Sequence, residues 1–340
     1  MPTMLELLPQ VKLYVRRVDL SCVPGFNWMR ETAVSPLAQG EYNMNYLLQQ
    51  DQRKWVLRVN VGTQINRDDQ ILYEYQALQL LAQSAVTPRP YFVDDSRMII
   101  PYGVLIMEYL PGEALDYGRD LETAAKLFAR VHSVHVNGNN HLIQEKRPLS
   151  MTYEECSGLL PVYLESELAD PAVRDYLQEV LAWADEARHT ESYFLNDPWL
   201  CVINTEVNSG NFIANRAAGS LHLVDWEKPL WGDPSQDLSH FCVPTTTLWK
   251  TDYRLATAAR QQFLHAYKTA VSDPHLRDTI EERVRLRDPF NCLRGISWSA
   301  MAWVTYQTNE HGLQNNDTFQ KICSYLQMDF VRSLFADYVQ

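Results

Sequence analysis

The sequence lacks any apolar run close to the roughly 18 residues that a membrane-spanning helix needs. Its first ten residues, MPTMLELLPQ, also lack the basic start and the apolar stretch of a secretory signal. We therefore expect a soluble, cytoplasmic protein without a membrane partner. Hydrophobic residues make up 46% of the 340 positions, which is enough for a large core in two domains or in one two-lobed domain.

Cysteine is scarce, and its spacing argues against two classes of site. The six cysteines are widely scattered and none belongs to a Cys-x-x-Cys pair, so neither a zinc site nor a disulfide framework is indicated. Three catalytic signatures are missing as well, namely the Walker loop G-x-x-x-x-G-K-[ST], the zinc-protease motif H-E-x-x-H and the nucleophile elbow G-x-S-x-G. These absences argue against a P-loop ATPase, a zinc protease and a serine hydrolase.

Acidic residues outnumber basic ones, and the surplus is unevenly placed. The chain has 30 basic and 42 acidic side chains, for a net charge of −12, and residues 111–340 alone hold 20 basic and 31 acidic ones. Such a charge repels nucleic acid and anionic membranes, so we expect no nucleic-acid partner. The same carboxylates either favour a cationic ligand, if they line a cleft, or serve only to solvate the surface.

The N-terminal part has the pattern of a small sheet with one main helix. YLLQQDQRKWVLRV, within residues 26–60, has two apolar runs around a polar turn and predicts a hairpin. DDQILYEYQALQLLAQSAV predicts a helix whose buried face contains Ile71, Tyr75, Leu78 and Leu81. YGVLIMEYL then predicts a buried strand, and the Pro and Gly that follow it break the chain.

Beyond residue 113 the pattern is mainly helical. We therefore expect an α+β fold with an N-terminal sheet lobe over residues 1–110, a hinge near residues 109–113 and a larger, mostly helical lobe over residues 111–340. The sequence does not indicate an oligomeric state. Later helices are predicted over residues 253–272, 277–286, 291–307 and 318–339.

Two oxygen-bearing side chains stand at neighbouring turns in this second part. Asn211 closes NTEVNSGN, and Asp225 ends the apolar strand in LHLVDWE, with a short hairpin between them. Such a pair of hard oxygen ligands suits a Mg²⁺ ion that is held jointly with substrate phosphates. Each residue alone could merely cap a turn or end a strand, but both in one frame favour a metal site.

Three segments of this region resemble a known family. NTEVNSGN, LVDWE and GDPSQDL are similar to the HGDxxxGN, IDWE and GDPxxDL motifs of the aminoglycoside phosphotransferase and choline kinase-like family, and the resemblance extends from about Val34 to Tyr306. It implies a bilobal protein-kinase-like fold, and transfer of the γ-phosphate of ATP or GTP to a hydroxyl of a small molecule, with Mg²⁺. A protein kinase would be expected to show DFG and APE, and both strings are missing, so we expect a small-molecule acceptor.

The resemblance also implies roles for four residues of the second part. Asn211 and Asp225 would bind the metal ions, and Glu227 would lie close to them. Asp237, in GDPSQDL, would be buried and would brace the catalytic loop. That role suits it, because a buried carboxylate must be hydrogen-bonded.

The resemblance also implies three parts of a nucleotide site, which are a loop beside the phosphates, a cation that binds phosphate and a hinge that contacts the purine. In PLAQGEYNMNYLL, Gly40 and Asn43 match the family's nucleotide loop, where glycine lets the backbone approach phosphate. Arg58 stands where kinases usually carry a phosphate-binding lysine, and Glu74 on the next helix would pair with it. The purine would contact the backbone of three hinge residues, Glu108, Tyr109 and Leu110.

Two positions depart from the family pattern. Its histidine is Asn204 here, and its catalytic aspartate is Glu206. That aspartate accepts or orients the proton of the attacking hydroxyl from about 2.6 to 3.2 Å, and the extra methylene of glutamate moves the carboxylate by roughly a bond length. Glu206 is therefore either a catalytic carboxylate for an acceptor placed farther away, or the mark of a nucleotide-binding pseudokinase that acts as a regulator or scaffold.

The acceptor itself is not specified by these motifs. Aromatic and acidic residues of the helical lobe could form its pocket, because an ammonium group is attracted to an aromatic face by about 0.5 to 2 kcal/mol. RGISWSAMAWVTY also has the pattern of a core helix, and that interpretation is favoured. The candidates for the pocket are Trp183, Trp298, Trp303, Tyr306 and Glu310.

Overall fold

A computed structural model describes residues 2–63, 65–308 and 316–339 of the chain. The chain divides into two compact units by its contacts, and neither unit is one continuous segment. The first consists of Met1–Ala114, Ser133–Ile143 and Asn211–Pro229, and the second of Leu115–His132, Gln144–Gly210 and Leu230–Gln340.

Strands and helices both contribute to the fold. The strands are β1 (Ala33–Gln39), β2 (Asn43–Gln50), β3 (Arg53–Asn60), β4 (Pro90–Asp94), β5 (Gly103–Glu108), β6 (Ile143–Gln144), β7 (Cys201–Ile203), β8 (Phe212–Asn215), β9 (Ser220–Leu223) and β10 (Leu230–Gly232). The helices are α1 (Met4–Arg17), α2 (Gln70–Leu81), α3 (Tyr117–His132), α4 (Pro148–Leu159), α5 (Pro161–Leu164), α6 (Pro171–Ala187), α7 (Ser192–Leu195), α8 (Ser235–Cys242), α9 (Pro244–Thr247), α10 (Thr257–Ala270), α11 (Pro274–Thr308), α12 (Asn316–Tyr325) and α13 (Met328–Phe335).

A five-stranded antiparallel sheet forms the centre of the first unit. Its strand order is β1-β2-β3-β5-β4, and β2 and β3 form the predicted hairpin, with Tyr46 opposite Leu57. Asp51, in the turn of the hairpin, has a left-handed φ of 53°, which aspartate tolerates better than most residues. The middle strand β3 is buried over five consecutive residues, so a side chain placed there is held on all sides.

Helix α2 confirms the predicted helix, with one change in its buried face. Ile71, Leu78 and Leu81 are buried as expected. Tyr75 is only half-buried, and the acidic residue before it, Glu74, is buried in its place. The prediction for Tyr75 is therefore wrong, because the helix faces the sheet with a carboxylate that has a partner there.

Helix α1 is absent from the predictions, although the sequence contains a signal for it. Thr3 and Glu6 form a capping box, in which the Thr3 hydroxyl accepts from the Glu6 amide at 3.2 Å and the Glu6 carboxylate accepts from the Thr3 amide at 2.7 Å. The buried residues Leu7, Val11 and Tyr14 attach the helix to the core of the first unit. The amphipathic spacing of these three residues could have revealed the helix.

The second unit is mainly helical, and α11 is its longest helix. The predictions over 277–286 and 291–307 are one continuous helix, although Pro289 lies inside it. Proline removes one helical hydrogen bond, but Phe290, Leu293 and Ile296 are buried in the core of this unit and keep the helix intact past that point. In the same way, α10 confirms the prediction over 253–272, while the prediction over 318–339 corresponds to two helices, α12 and α13.

The α+β fold expected from the sequence is confirmed by these elements. Among the described residues, no helix combines the length and the apolar character that a membrane crossing requires.

Candidate active site

Arg58 lies in the centre of the sheet of the first unit and contacts two carboxylates. It occupies β3, where it is paired with Asn45 on one side and Leu105 on the other. Its Nη1 atom donates to Oε1 of Glu74 at 2.5 Å and to Oδ1 of Asp225 at 3.0 Å, and its Nε atom donates to Oδ1 of Asn45 at 3.0 Å. The structure thus brings together three residues singled out in the sequence, which are far apart along the chain.

Arg58 and Glu74 are almost completely removed from water, with side-chain exposures of 6% and 2%. Burial raises the pKa of Glu74, and the positive charge of Arg58 opposes that rise. Burial lowers the pKa of Arg58, but the charges of Glu74 and Asp225 outweigh this effect, so its pKa lies above the ordinary value. The guanidinium is therefore a permanent positive charge at the edge of the Asp225 carboxylate.

Asp225 leaves strand β9 in a left-handed backbone conformation, with a φ of 64°. The indole of Trp226 next to it is fully buried and donates to the carbonyl of Leu223 at 2.9 Å, which fixes the turn. The amide of Val224 donates to the carbonyl of Asn211 at 2.8 Å. Because Asn211 directly precedes β8, which pairs with β9, this bond holds Asn211 and Asp225 at the same end of the hairpin.

Glu227 is buried and is held by Asn43. The side-chain amide of Asn43 donates to Oε2 of Glu227, and its oxygen accepts from Nδ2 of Asn60 at 3.0 Å. The side chain of Gln70 donates to the backbone carbonyl of Glu227. Asn43, which the resemblance assigns to the nucleotide loop, therefore also anchors the DWE segment, a contact that joins positions 184 residues apart.

Gly40 lies in the turn between β1 and β2. Its amide donates to the carbonyl of Asn43 at 2.9 Å, which closes the turn. A Cβ atom added at Gly40 would meet that same carbonyl oxygen at 3.7 Å, an ordinary van der Waals distance. The turn itself therefore does not require glycine, so a requirement for glycine would have to come from a ligand.

The first of the three hinge residues, Glu108, is the last residue of β5, and Tyr109 and Leu110 follow it. The amide of Glu108 donates to the carbonyl of Arg89 at 2.9 Å, so it is already used within the protein. The ammonium group of Lys54 lies 5.3 Å from the centre of the Tyr109 ring. A purine would therefore have its candidate backbone contacts at the hinge carbonyls and at Leu110.

In the second unit, Asp237 holds the segment that precedes Glu206. Asp237 lies in the first turn of α8 and is completely buried. Its Oδ2 atom accepts from the amide of Asn204 and its Oδ1 atom from the amide of Thr205, both at 2.8 Å. Nε2 of His132, which is buried as well, lies 3.4 Å from Oδ2. The carboxylate thus has the hydrogen bonds that a buried charge needs.

The segment held in this way contains a strained residue. Thr205 has a left-handed φ of 73°, and such a conformation costs a β-branched residue on the order of 1 to 3 kcal/mol. Strain of this kind persists only where the surrounding structure enforces it, as the two hydrogen bonds to Asp237 do, and it is concentrated at functional sites. The residue that follows the strained position is Glu206.

Glu206 is held through its backbone and through its side chain. Its amide donates to Oδ1 of Asn204 at 3.1 Å, so the residue that replaces the family's histidine orders the loop. Its Oε1 atom lies 3.5 Å from Nη2 of Arg294, and its side chain is 31% exposed. No sequence motif singled out Arg294, which lies 88 residues farther along the chain on α11.

The four aromatic candidates for an acceptor pocket pack against the core of the second unit. Trp298 contacts Trp249 edge to face at 5.4 Å, whereas Trp303 contacts Tyr163 at 5.8 Å. These different ring partners favour the core-helix interpretation. Glu310 lies outside the described residues. The other two candidates, Trp183 and Tyr306, contact Phe290 and Phe319.

The donor set of the first unit fits one particular kind of metal site. Within residues 2–63, 65–308 and 316–339, no group of three or more His, Cys, Asp or Glu side chains is arranged to hold a metal ion. Mg²⁺ in phosphoryl-transfer sites is held by one or two protein carboxylates, with waters and substrate phosphates as the remaining ligands. The oxygens of Asn211 and Asp225 at one end of the hairpin are compatible with that arrangement.

Comparisons with known proteins agree with this reading of the fold. The model of the phosphotransferase enzyme family matches residues 33–279. No curated protein sequence matches the chain at a significant level.

Solved structures similar to this chain include two kinases of small amino alcohols. The first is an ethanolamine kinase from Plasmodium vivax, with 13% identity and a TM-score of 0.66, and the match covers 98% of this chain and 92% of the other. The second is a choline kinase from Cryptosporidium parvum, with 12% identity and a TM-score of 0.62, and the match covers 94% of each chain. A spectinomycin phosphotransferase, solved with ADP and spectinomycin, has 12% identity and a TM-score of 0.60 over 88% of this chain and 91% of its own. These likenesses show the protein-kinase-like fold that the sequence motifs imply.

Proposed function

Because this chain belongs to the phosphotransferase enzyme family, we propose that it transfers the γ-phosphate of ATP or GTP to a hydroxyl group of a small molecule. The observation that carries this proposal is the contact of Arg58 with both Glu74 and Asp225. It supplies a fixed cation for phosphate, a buried carboxylate that orients the cation and a second carboxylate suited to a metal ion. Phosphoryl transfer requires these groups in one place.

The nucleotide is proposed to bind to the first unit. The planar guanidinium of Arg58 can contact two phosphate oxygens, which a lysine ammonium does not match in geometry. Gly40 and Asn43 would lie beside the phosphates, and the purine would meet the backbone of the hinge at residues 108–110. Glu74 would keep Arg58 in place, because its carboxylate is itself buried and fixed on α2.

Asn211 and Asp225 are the residues proposed to hold Mg²⁺, with Glu227 close to them. When bound, Mg²⁺ would neutralise negative charge on the phosphate that is transferred. A backbone hydrogen bond links Asn211 to the strand end that carries Asp225, and the side chain of Asn43 holds Glu227.

Glu206 is proposed to accept, or to orient, the proton of the acceptor hydroxyl. The hydroxyl oxygen forms a bond to the γ-phosphorus, while the bond from that phosphorus to the bridging oxygen breaks and the nucleoside diphosphate leaves with the electron pair. The proton of the hydroxyl passes to Glu206. Asp237 supports this role because it fixes the two backbone amides that precede Glu206.

The acceptor is proposed to be a small molecule, for which a cation is the first class to test. Residues 111–340 hold 20 basic and 31 acidic side chains, a surplus that attracts cations. The names of the ethanolamine and choline kinases of the same fold indicate amino alcohols as their substrates. The spectinomycin phosphotransferase was solved with spectinomycin bound. Amino alcohols and aminoglycosides are therefore the first acceptors to try.

The test is transfer of labelled γ-phosphate from ATP or GTP, with Mg²⁺, to a panel of amino alcohols, sugars and aminoglycosides. We expect transfer to at least one class of acceptor, and a loss of at least about 10²-fold in kcat for Asp225→Asn. Asp252→Asn is the matched control, because Asp252 is 99% exposed and pairs only with a surface lysine, Lys321, among the described ion pairs. Wild-type protein that neither binds a nucleotide nor transfers phosphate would contradict the proposal.

A nucleotide-binding regulator without transfer activity is the second candidate. It is favoured by the contact between Glu206 and Arg294, which could withhold the carboxylate from an acceptor. Thermal unfolding with Mg²⁺ and nucleotide detects binding, because a ligand at 100 times its Kd stabilises a protein by about 2.7 kcal/mol, and together with the transfer assay it separates the two candidates. Stabilisation without transfer to any acceptor would support the regulator.

A further inference from the structure

We infer that Arg294 is a positioning residue for Glu206, and that a glutamate at position 206 works because Arg294 holds it. This inference rests on the proposed phosphate transfer and names a further residue of the same site. None of the family motifs in the sequence includes Arg294. Its role follows from the contacts of its guanidinium, which reaches the backbone and the side chain of the catalytic loop at once.

Each nitrogen of the Arg294 guanidinium has its own oxygen partner. Nη1 donates to the carbonyl of Thr205 at 3.1 Å, and Nη2 lies 3.5 Å from Oε1 of Glu206. Nε lies 3.1 Å and 3.3 Å from the two carboxylate oxygens of Glu155, on α4. Because the group is planar, the contacts at Nε and Nη1 also fix the direction of Nη2. The nitrogen that faces Glu206 is therefore set by the rest of the structure.

Arg294 is also rigid and permanently charged. Its side chain is only 15% exposed, and it projects from α11, which is packed into the core of the second unit on both sides of it, at Leu293 and Ile296. Burial lowers the pKa of Arg294, but the carboxylates of Glu155 and Glu206 outweigh this effect and raise it. A site held by a helix is more precise than one held by a loop alone.

The length of the glutamate side chain explains why the two residues belong together. An aspartate at position 206 would end roughly a bond length earlier, so the contact at 3.5 Å would be lost, and of the two contacts of Arg294 with this loop only the bond to the carbonyl of Thr205 would remain. The longer side chain of Glu206 and the cation of Arg294 therefore act together, in place of the shorter aspartate of the family pattern.

The experiment measures kcat and KM, for nucleotide and acceptor, in wild type, Arg294→Met, Arg294→Lys, Glu206→Asp and the double variant with Arg294→Met and Glu206→Asp. We expect Arg294→Met to lower kcat by about 10²-fold, with the KM for nucleotide within about twofold of wild type. Compared with Arg294→Met, Arg294→Lys should recover part of kcat, because lysine restores the positive charge but not the planar guanidinium. In the Arg294→Met background, Glu206→Asp should change kcat by less than about threefold, because the contact is already gone.

Arg260→Met is the matched control. Arg260 pairs with Asp288 at 2.5 Å in the same unit and is partly buried, so its loss tests a general effect on folding. We expect a lower Tm and an unchanged kcat. Arg294→Lys keeps the charge and carries the test if Arg294→Met does not fold.

The outcomes separate this inference from the proposed function. Active wild type with an unchanged kcat in Arg294→Met or Arg294→Lys would overturn the positioning role and leave the proposed function intact. A kcat that rises in Arg294→Met would overturn it as well, since Arg294 would then restrain Glu206. Wild type without transfer to any acceptor would overturn the proposed function itself, and the role of Arg294 with it.

Discussion

Arg58 and Glu74 form an ion pair in which the two charged atoms lie 2.5 Å apart and both side chains are almost completely buried. The two buried charges compensate each other, so the pair cannot be separated without a large cost in free energy. Arg58 has a second carboxylate partner, Asp225, whose side chain is much more exposed, at 32%. The pair therefore joins β3 to α2 and also places a cation at the proposed phosphate site.

The first prediction concerns the stability of this pair and its dependence on pH. Arg58→Met should lower the free energy of unfolding by about 3 to 5 kcal/mol near neutral pH, because Glu74 is left as a buried charge without its cation. Burial raises the pKa of Glu74, and without Arg58 nothing in the pair opposes that rise. A protein that buries a carboxyl group with a raised pKa becomes less stable as the pH increases. The stability lost in Arg58→Met should therefore be smaller at about pH 5 than at about pH 8.

Urea unfolding of wild type and variant at both pH values measures this difference. Lys126→Met is the control, because Lys126 and Glu122 form an exposed pair whose loss should change stability by less than about 1 kcal/mol at either pH. A loss in Arg58→Met that is the same at both pH values would show that the uncompensated Glu74 carboxylate is not its cause.

The second prediction concerns Asp237, the buried carboxylate that holds the proposed catalytic loop. Asp237→Asn keeps one acceptor oxygen and turns a donor toward the second backbone amide, so either Asn204 or Thr205 loses its partner. We expect a loss of about 1 to 3 kcal/mol in stability and a lower kcat. Amide hydrogen exchange at residues 204–206 should become faster, whereas exchange in the core of α11 should change only with global stability. Unchanged exchange at residues 204–206 would contradict the bracing role.

The third prediction concerns a residue in a left-handed conformation away from the site. Ala85 is exposed and has a φ of 55°, so Ala85→Gly should stabilise the protein by about 1 kcal/mol. Ala82, which is also exposed, has a helical φ of −55°, so Ala82→Gly should destabilise the protein by about 0.5 to 1 kcal/mol. Chemical denaturation of both variants checks the opposite signs, and two losses would contradict the assigned backbone at Ala85.

The fourth prediction separates the folding role of Gly40 from its binding role. A methyl group at Gly40 meets no atom closer than 3.7 Å, so Gly40→Ala should leave the Tm within a few degrees of wild type. Nucleotide affinity should fall about tenfold, because a Cβ atom would stand where the backbone approaches phosphate. Calorimetric titration with nucleotide and Mg²⁺ measures the affinity. An unchanged affinity would remove Gly40 from the nucleotide site.

The elements that were predictable are those whose signals are local. The β2–β3 hairpin and the buried strand β5 follow from runs of apolar residues, and α2 follows from helical spacing. Pro289 made one helix look like two, because the pattern shows a broken hydrogen bond but not the packing that compensates for it. Helix α1 was visible in its capping box of Thr3 and Glu6, but that signal is short and easily missed.

The contacts that define the candidate site were less accessible from sequence. The motif frame placed Asn211 and Asp225 together because a short hairpin separates them. It could not place Asn43 against Glu227, or Arg294 against Glu206, because those partners lie 184 and 88 residues apart and no pattern links them. Such contacts depend on the tertiary arrangement within each unit, and this information is spread over the whole chain.

The discontinuous first unit has a consequence for synthesis on the ribosome. Its last segment, Asn211–Pro229, carries Asp225 and Glu227, whose partners Arg58 and Asn43 are translated much earlier. The first unit of the nascent chain therefore stays incomplete while 85 residues of the second unit, Leu115–His132 and Gln144–Gly210, emerge. A fragment ending at residue 114 would contain the buried Arg58 without one of its two carboxylates, and we expect it to require a chaperone or to aggregate.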